Sequence, residues 1–302
     1  MKRKYMIIVL MAGALELTGC SQGTSNSAKN GTTGSENTII SESDIAILDT
    51  EDMFTERDRD TEYDESECTA ISLSDEETKC DSDGVKMDGQ TVTITEGGTY
   101  LLTGSLSNGS VVVDTDKTEK VQLILENVSI INEEGAGICV EQADKVFITL
   151  ADGSTNKIVS NSFTGNEDTN IDGAIFSRED LTLNGSGTLK ITSAAHGIVS
   201  KDDLVLTGGV YQIQSEKQGL SGKESVRIAD GTFTITSGTD AIHSEDTDED
   251  TKGFVYITGG VLTLAAGGDG ISSSYVVQAD GGSFDISTSS TETDTSTKGI
   301  KA

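Results

Sequence analysis

The chain has 302 residues, of which 34% are hydrophobic and 34 are glycine, with no proline and no tryptophan. Dominated beyond residue 85 by Thr, Ser, Gly, Ile, Val and Leu, this composition excludes a helical bundle and favours many short strands separated by turns. With 51 acidic residues against 21 basic ones and a formal charge of −30, the surface repels phosphate backbones and anionic lipid headgroups, so nucleic acid is excluded as a partner and divalent cations are favoured.

The N-terminus begins with the basic segment Met1-Lys2-Arg3-Lys4 and an apolar run from Tyr5 to Leu15. That run is too short to span a bilayer, so residues 1–19 read as a signal peptide. Leu17, Thr18, Gly19 and Cys20 resemble the lipobox of bacterial lipoproteins, with Glu16 as the one departure. The resemblance implies that Cys20 carries a diacylglycerol and holds the protein on the extracellular face of the bacterial cell membrane through its lipid alone. Residues 20–65 are rich in Ser, Gly, Thr, Asp and Glu and bury too little to offset chain entropy, which predicts a flexible acidic linker. Beyond it, Cys68 and Cys80 are candidates for a disulfide in an oxidising compartment, a pairing that spacing alone leaves open.

Residues 66–302 form the folded domain, with irregular rows such as "QTVTITEGGTYLLTGSLSNGSVVV" up to residue 171 and a clear repeat after it. The anchors Ile175, Ile198, Leu220, Ile242, Ile271 and Ile300 are spaced by 23, 22, 22, 29 and 29 residues. A period near 22 with alternating apolar residues and Gly turns is a solenoid signature. Each row holds three short period-two segments, which predicts an all-β, right-handed parallel β-helix with three strands per rung. Stacking places the columns Leu189, Tyr211, Phe233, Leu262, Phe284 and Ile191, Ile213, Ile235, Leu264, Ile286 in its core. The last row stops at "KGIKA", so the coil is expected to be incomplete at the C-terminus.

One row is lengthened by "SEDTDEDTKG": ten residues separate Ser244 from Val255, where three separate Ser200 from Leu204. Insertions on solenoid corners are places where binding concentrates. Asp246, Asp248 and Asp250 stand at i, i+2 and i+4, a spacing that can wrap carboxylates around one Ca²⁺, although the Gly and closing Glu of an EF-hand are missing. Asp240 and its equivalent in the next row, Asp269, should stack about 5 Å apart on the same side. Two readings stand, a calcium cage and a solvated acidic loop. A second acidic ladder, Glu179, Asp202 and Glu224, runs beside Arg178, Lys201 and Lys223, with Asp180 and Asp203 following. It reads either as cross-row ion pairing or as a second cation site built on Asp202 and Asp203. His196 and His243 fall in different columns and suggest no catalytic arrangement.

The rows "HGIVSKDDLVLTGG", "KESVRIADGTFTI" and "KGFVYITGGVLTL", with "GTYLLTGSL" and "ADKVFITLADGSTN" upstream, resemble the bacterial carbohydrate-binding domain-containing proteins, a former domain of unknown function typified by a clostridial cell-surface β-helix. The resemblance implies a calcium-binding β-helix that takes plant cell-wall polysaccharide, polygalacturonate or cellulose. The function expected from the sequence is therefore a lipid-anchored, calcium-dependent carbohydrate-binding protein without catalysis. A pectate-type lyase, with Lys201 or Arg227 as its base, and a non-catalytic adhesin are the alternatives.

Overall fold

Short runs of alternating apolar residues, each ended by Gly or Asx-type turns, can satisfy their backbone only by pairing with the equivalent run of the next row. In the computed structural model, which describes residues 8–10, 47–163, 170–289 and 297–302, they do so in three parallel ladders. The first joins Ile138–Gln142, Gly173–Ser177, His196–Ser200, Leu220–Gly222, Ile242–Ser244, Ile271–Ser273 and Ile300–Lys301. The second joins Lys120–Leu125, Lys145–Leu150, Asp180–Gly185, Asp203–Leu206, Ser225–Ile228, Phe254–Ile257 and Val277–Ala279. Ser129–Asn132, Thr155–Ser160, Thr188–Ser193, Val210–Ser215, Thr232–Ser237, Val261–Ala266 and Ser283–Thr288 form the third. Each strand pairs with the third strand along the chain, so the protein is nearly all-β and solenoid-like.

The registers match the repeat residue for residue. Ile175, Ile198, Leu220, Ile242, Ile271 and Ile300 are direct partners in turn. In the third ladder Leu189, Tyr211, Phe233, Leu262 and Phe284 stack in the same way. The rings of Tyr211 and Phe233 lie 4.8 Å apart and nearly parallel, and both are buried, with the Tyr211 hydroxyl donating to the Gly208 carbonyl at 2.7 Å. The turn before this column needs φ of +100° at Gly209 and +129° at Gly231, and a Cβ on Gly231 would meet the Phe233 ring at 2.9 Å, so only glycine fits. On the N-terminal side the first ladder continues through Ser110–Asp114 and Thr91–Ile94 to Val85–Asp88, which pairs antiparallel with Thr91–Ile94 and forms the edge strand. At the other end Ile8–Leu10 pairs in parallel with Val277–Ala279.

The expected linker over 20–65 is corrected for its second part. Residues 47–60 are not loose; they lie as a strap across the outer face of the second ladder. The backbone N–H of Leu48 donates to Gln278 Oε1 at 3.0 Å. Leu48, Tyr256 and Val276 form a buried cluster with Met53, Phe54, Phe254 and Tyr275 around it. The Glu56–Arg59 helical turn is fixed by a capping box between Thr55 and Asp58. Asp58 is buried and receives Lys145 at 2.8 Å and Thr182 Oγ1 at 2.7 Å, while Thr207 Oγ1 donates to its carbonyl at 2.6 Å. Arg57 reaches Gln122 Oε1 at 2.7 Å and stacks on Phe147. The column beneath, Gln122, Phe147, Thr182, Val205, Arg227, Tyr256 and Gln278, faces away from the coil interior yet is mostly buried. The remaining part of that segment, residues 20–46, lies outside the described residues, as do residues 1–7, 11–19 and Cys20.

Candidate metal centre

The carboxylates picked out in the sequence separate into three places. Asp240 and Asp269 do stack on successive rows, just before the strands Ile242–Ser244 and Ile271–Ser273. Each is used locally. Asp240 Oδ1 accepts the Asp269 N–H at 2.7 Å, and Asp269 Oδ1 accepts the Lys298 N–H at 2.7 Å. Asp240 Oδ2 meets His243 Nδ1 at 3.0 Å, and Asp269 Oδ2 meets Lys301 at 3.1 Å. Burial works to raise the Asp240 pKa, but His243 and the Asp269 amide outweigh it and hold the carboxyl below its usual value.

The acidic insertion lies at the far end of the strand Ile242–Ser244 from Asp240. Within it Asp246 is buried and acts as a turn acceptor, taking the N–H groups of Asp248 at 2.7 Å and Glu249 at 3.0 Å. Asp248 pairs with Lys223 at 3.0 Å, and Asp250 is exposed. Asp240, Asp246, Asp248, Asp250 and Asp269 are therefore not brought around one point.

What converges is the other ladder. Among the described residues, the group of three or more carboxylates close enough to share an ion is Asp180, Asp202 and Asp203, whose oxygens lie within 4.8 Å of one another. The register explains it: Asp180 and Asp203 begin equivalent strands of the second ladder, and Asp202 sits on the corner before them. Asp203 N–H donates to Asp180 Oδ1 at 3.3 Å. Burial first, then the charges of Asp180, Glu224 and Asp203, push the Asp202 carboxyl up to about 7. Burial and Asp203 likewise raise Asp180. Like charges held this close favour a cation between them. Carboxylates are hard oxygen donors of the kind Ca²⁺ takes, but Asp203 already receives Arg227 and the Ser225 hydroxyl, so Asp180 and Asp202 carry the oxygens that an ion would use.

The bases nearby are engaged. Arg227, which begins under the strap, ion-pairs with Asp203, donates to Ser225 Oγ at 2.9 Å and reaches the Met53 carbonyl at 3.0 Å. Lys252 holds Glu224 at 2.5 Å and Glu249 at 2.9 Å, and these bonds keep its ammonium above the ordinary lysine range. Strap and coil enclose a cleft of about 350 Å³ here, with Asp49, Asp52 and Met53 on one side and Asp203, Glu224, Arg227 and Lys252 on the other. Lys201 approaches Asp172 at 3.7 Å and lies over the Phe176 ring. Tyr256, placed outward by the repeat, is covered by the strap and donates to Asp280 at 2.9 Å. Cys68, Cys80 and Cys139 are free thiols.

Sequence reasoning missed three things at this site. It gave Asp180 no role as a ligand, although its register with Asp203 follows from the row alignment. It treated both histidines as incidental, whereas His243 binds Asp240 and His196 Nε2 lies 3.4 Å from Asp172. It did not foresee the strap.

A coil of parallel strands with an acidic cluster on one corner and polar clefts beside it defines a β-solenoid-like protein. A family model for carbohydrate-binding domain-containing proteins matches residues 88–302, and the chain belongs to that family. A carbohydrate-binding domain-containing protein of Acetivibrio thermocellus is 34% identical over 137 residues, which covers 44% of this chain and 48% of the relative. The chain thus aligns with about half the length of that relative. The solved structure of a polysaccharide lyase-like protein from C. thermocellum, a gadolinium derivative, is similar with a TM-score of 0.70 and 33% identity, covering 78% of this chain and 94% of that one.

Proposed function

We propose that the protein is a lipid-anchored, calcium-dependent carbohydrate-binding protein built on a right-handed parallel β-helix with three strands per rung. Its partner is acidic plant cell-wall polysaccharide of the polygalacturonate type, held on the extracellular face of the membrane by Cys20. The observation that carries the reading is the convergence of Asp180, Asp202 and Asp203 on one half-buried corner. A calcium ion there would turn a repulsive carboxylate cluster into an attachment point for uronate carboxylates, which a chain of charge −30 would otherwise repel. Family membership supports a carbohydrate partner. The test is retention of the full chain in gels containing polygalacturonate, with calcium and with EDTA. Calcium should strengthen retention, and Asp202→Asn with Asp203→Asn should abolish that gain; equal retention under both conditions would rule out the bridging role.

The likeness to a polysaccharide lyase-like structure favours a second reading, calcium-assisted β-elimination. A base for that step needs a pKa brought down toward neutrality. Arg227 is instead tied to Asp203, Ser225 and Met53, and Lys201 faces Asp172 at 3.7 Å, a carboxylate neighbour that favours its charged form, so binding without turnover is the better reading. Ultraviolet absorbance of an unsaturated product during incubation with pectate would reverse that preference.

A further inference from the structure

We propose that a groove on the outer face of the first ladder takes the carboxylates of an acidic polysaccharide directly, without a metal, with the sugar chain lying along the coil axis. This rests on the reading of the protein as a binder of acidic polysaccharide and adds a second, independent contact surface to it.

The groove has a volume of about 350 Å³, inside the range of roughly 300–1,000 Å³ usual for ligand sites. Its floor is the outward column Val199, Ser221 and His243, three direct partners on successive strands. One wall carries His196 and Gln218, the other Lys201 and Lys223. None of Asp180, Asp202 and Asp203 lines it, so its lining is distinct from the cation cluster.

Three features fit an anionic sugar chain. The walls repeat once per rung, about 4.8 Å apart, which is close to the length of one hexose along an extended polysaccharide, so a chain crossing the strands presents successive sugars to successive rungs. Lys201 and Lys223 are the basic members of two adjacent rungs. Lys201 stands 3.7 Å from Asp172 and over the Phe176 ring, and Lys223 bonds the exposed Asp248 at 3.0 Å and stands 3.8 Å from the buried Asp246. The exposed Lys223–Asp248 pair contributes about 0–1 kcal/mol and gives way readily to a ligand carboxylate. Finally, the opposite wall is polar and its imidazole is held in place: His196 Nδ1 accepts the Gln218 N–H at 3.2 Å, and Nε2 lies 3.4 Å from Asp172. Asp172 and Glu245, the remaining charged groups of the lining, restrict the cationic window to the two rungs of Lys201 and Lys223.

Calorimetric titration of the full chain with an oligogalacturonate, in EDTA and in calcium, tests this. The wild type should keep measurable binding in EDTA. Lys201→Gln with Lys223→Gln should weaken that binding about tenfold or more with an unchanged melting temperature, and should leave the calcium-dependent gain in place. Loss of all wild-type binding in EDTA, or equal affinity of the double variant there, would overturn the groove while leaving calcium-dependent binding standing. No binding by the wild type in either condition would remove the polysaccharide reading and the groove with it.

Discussion

The regular rungs of residues 172–289 and the strap of residues 47–60 are held by different physics. In the rungs every stabilising position recurs at each turn, and the side chains that matter, such as Ile198, Leu220 and Ile242, are stacked on copies of themselves. The strap has no repeat. It crosses the second ladder on a few unlike contacts: Leu48 on Gln278, Phe54 against Tyr256, the Met53 carbonyl on Arg227 and Asp58 among Lys145, Thr182 and Thr207. A coil built from many equivalent contacts should resist the loss of any strap contact, whereas the strap should come free when one anchor fails.

The largest effect should follow Tyr211→Ala. Removing a fully buried ring from the stacked column should cost about 3–5 kcal/mol in urea unfolding, with the strap lost only as the coil melts. If exchange of the strap amides rises while the coil remains intact, the two regions are not ordered as argued.

Asp58→Ala should do the reverse. It leaves the partly buried Lys145 without its carboxylate, a change of about 3 kcal/mol by comparison with other broken buried pairs, and hydrogen exchange should quicken over residues 47–60 while the rungs stay protected. The same anchor gives a pH signature. Burial works to raise the Asp58 pKa, but Lys145, Thr182 and the Thr55 amide outweigh it and hold the carboxyl at about 2. Because the folded value lies below that of the unfolded chain, the stabilisation, about 2 kcal/mol, is complete above about pH 4 and disappears as the pH falls toward 2. Hydrogen exchange over residues 47–60, taken relative to an unstructured peptide at the same pH, should therefore be faster at pH 2 than at pH 4, and Asp58→Ala should remove the difference.

A smaller effect belongs to the corner between the two regions. Calcium at a hundred times its dissociation constant should stabilise the wild type by about 2.7 kcal/mol, read as a rise in melting temperature. Asp202→Asn should remove that rise and, by relieving repulsion from Asp180, Glu224 and Asp203, make the metal-free protein slightly more stable than the wild type.

The contrast also explains what could be read in advance. Strand positions, registers and core columns were legible because a 22-residue period aligns the anchors without any three-dimensional information. Asp202 and Asp203 were legible as neighbours of that period, but the denser acidic run at residues 244–253 drew attention to carboxylates that the fold spends on its own turns, as Asp246 does. The strap left a different trace. Third-ladder strands such as Val210–Ser215 alternate between buried and exposed positions, while second-ladder strands such as Lys145–Leu150 and Phe254–Ile257 are buried at nearly every position. Near-continuous burial requires cover on both faces, and "KVFITL" and "FVYI" announce that something must lie over them without saying which segment does.

The direction in which the strap runs has a mechanical consequence. Its first described residues meet the last rungs, at Gln278, and its later ones reach back to Gln122 near the opposite end. A tether acting on the chain ahead of residue 47 would therefore grip the molecule by its C-terminal rungs and point the end bearing Val85–Asp88 outward. Tension on it would load the Leu48 contact before the Asp58 latch, so the molecule would peel from its mooring one contact at a time while the spiral itself stayed wound.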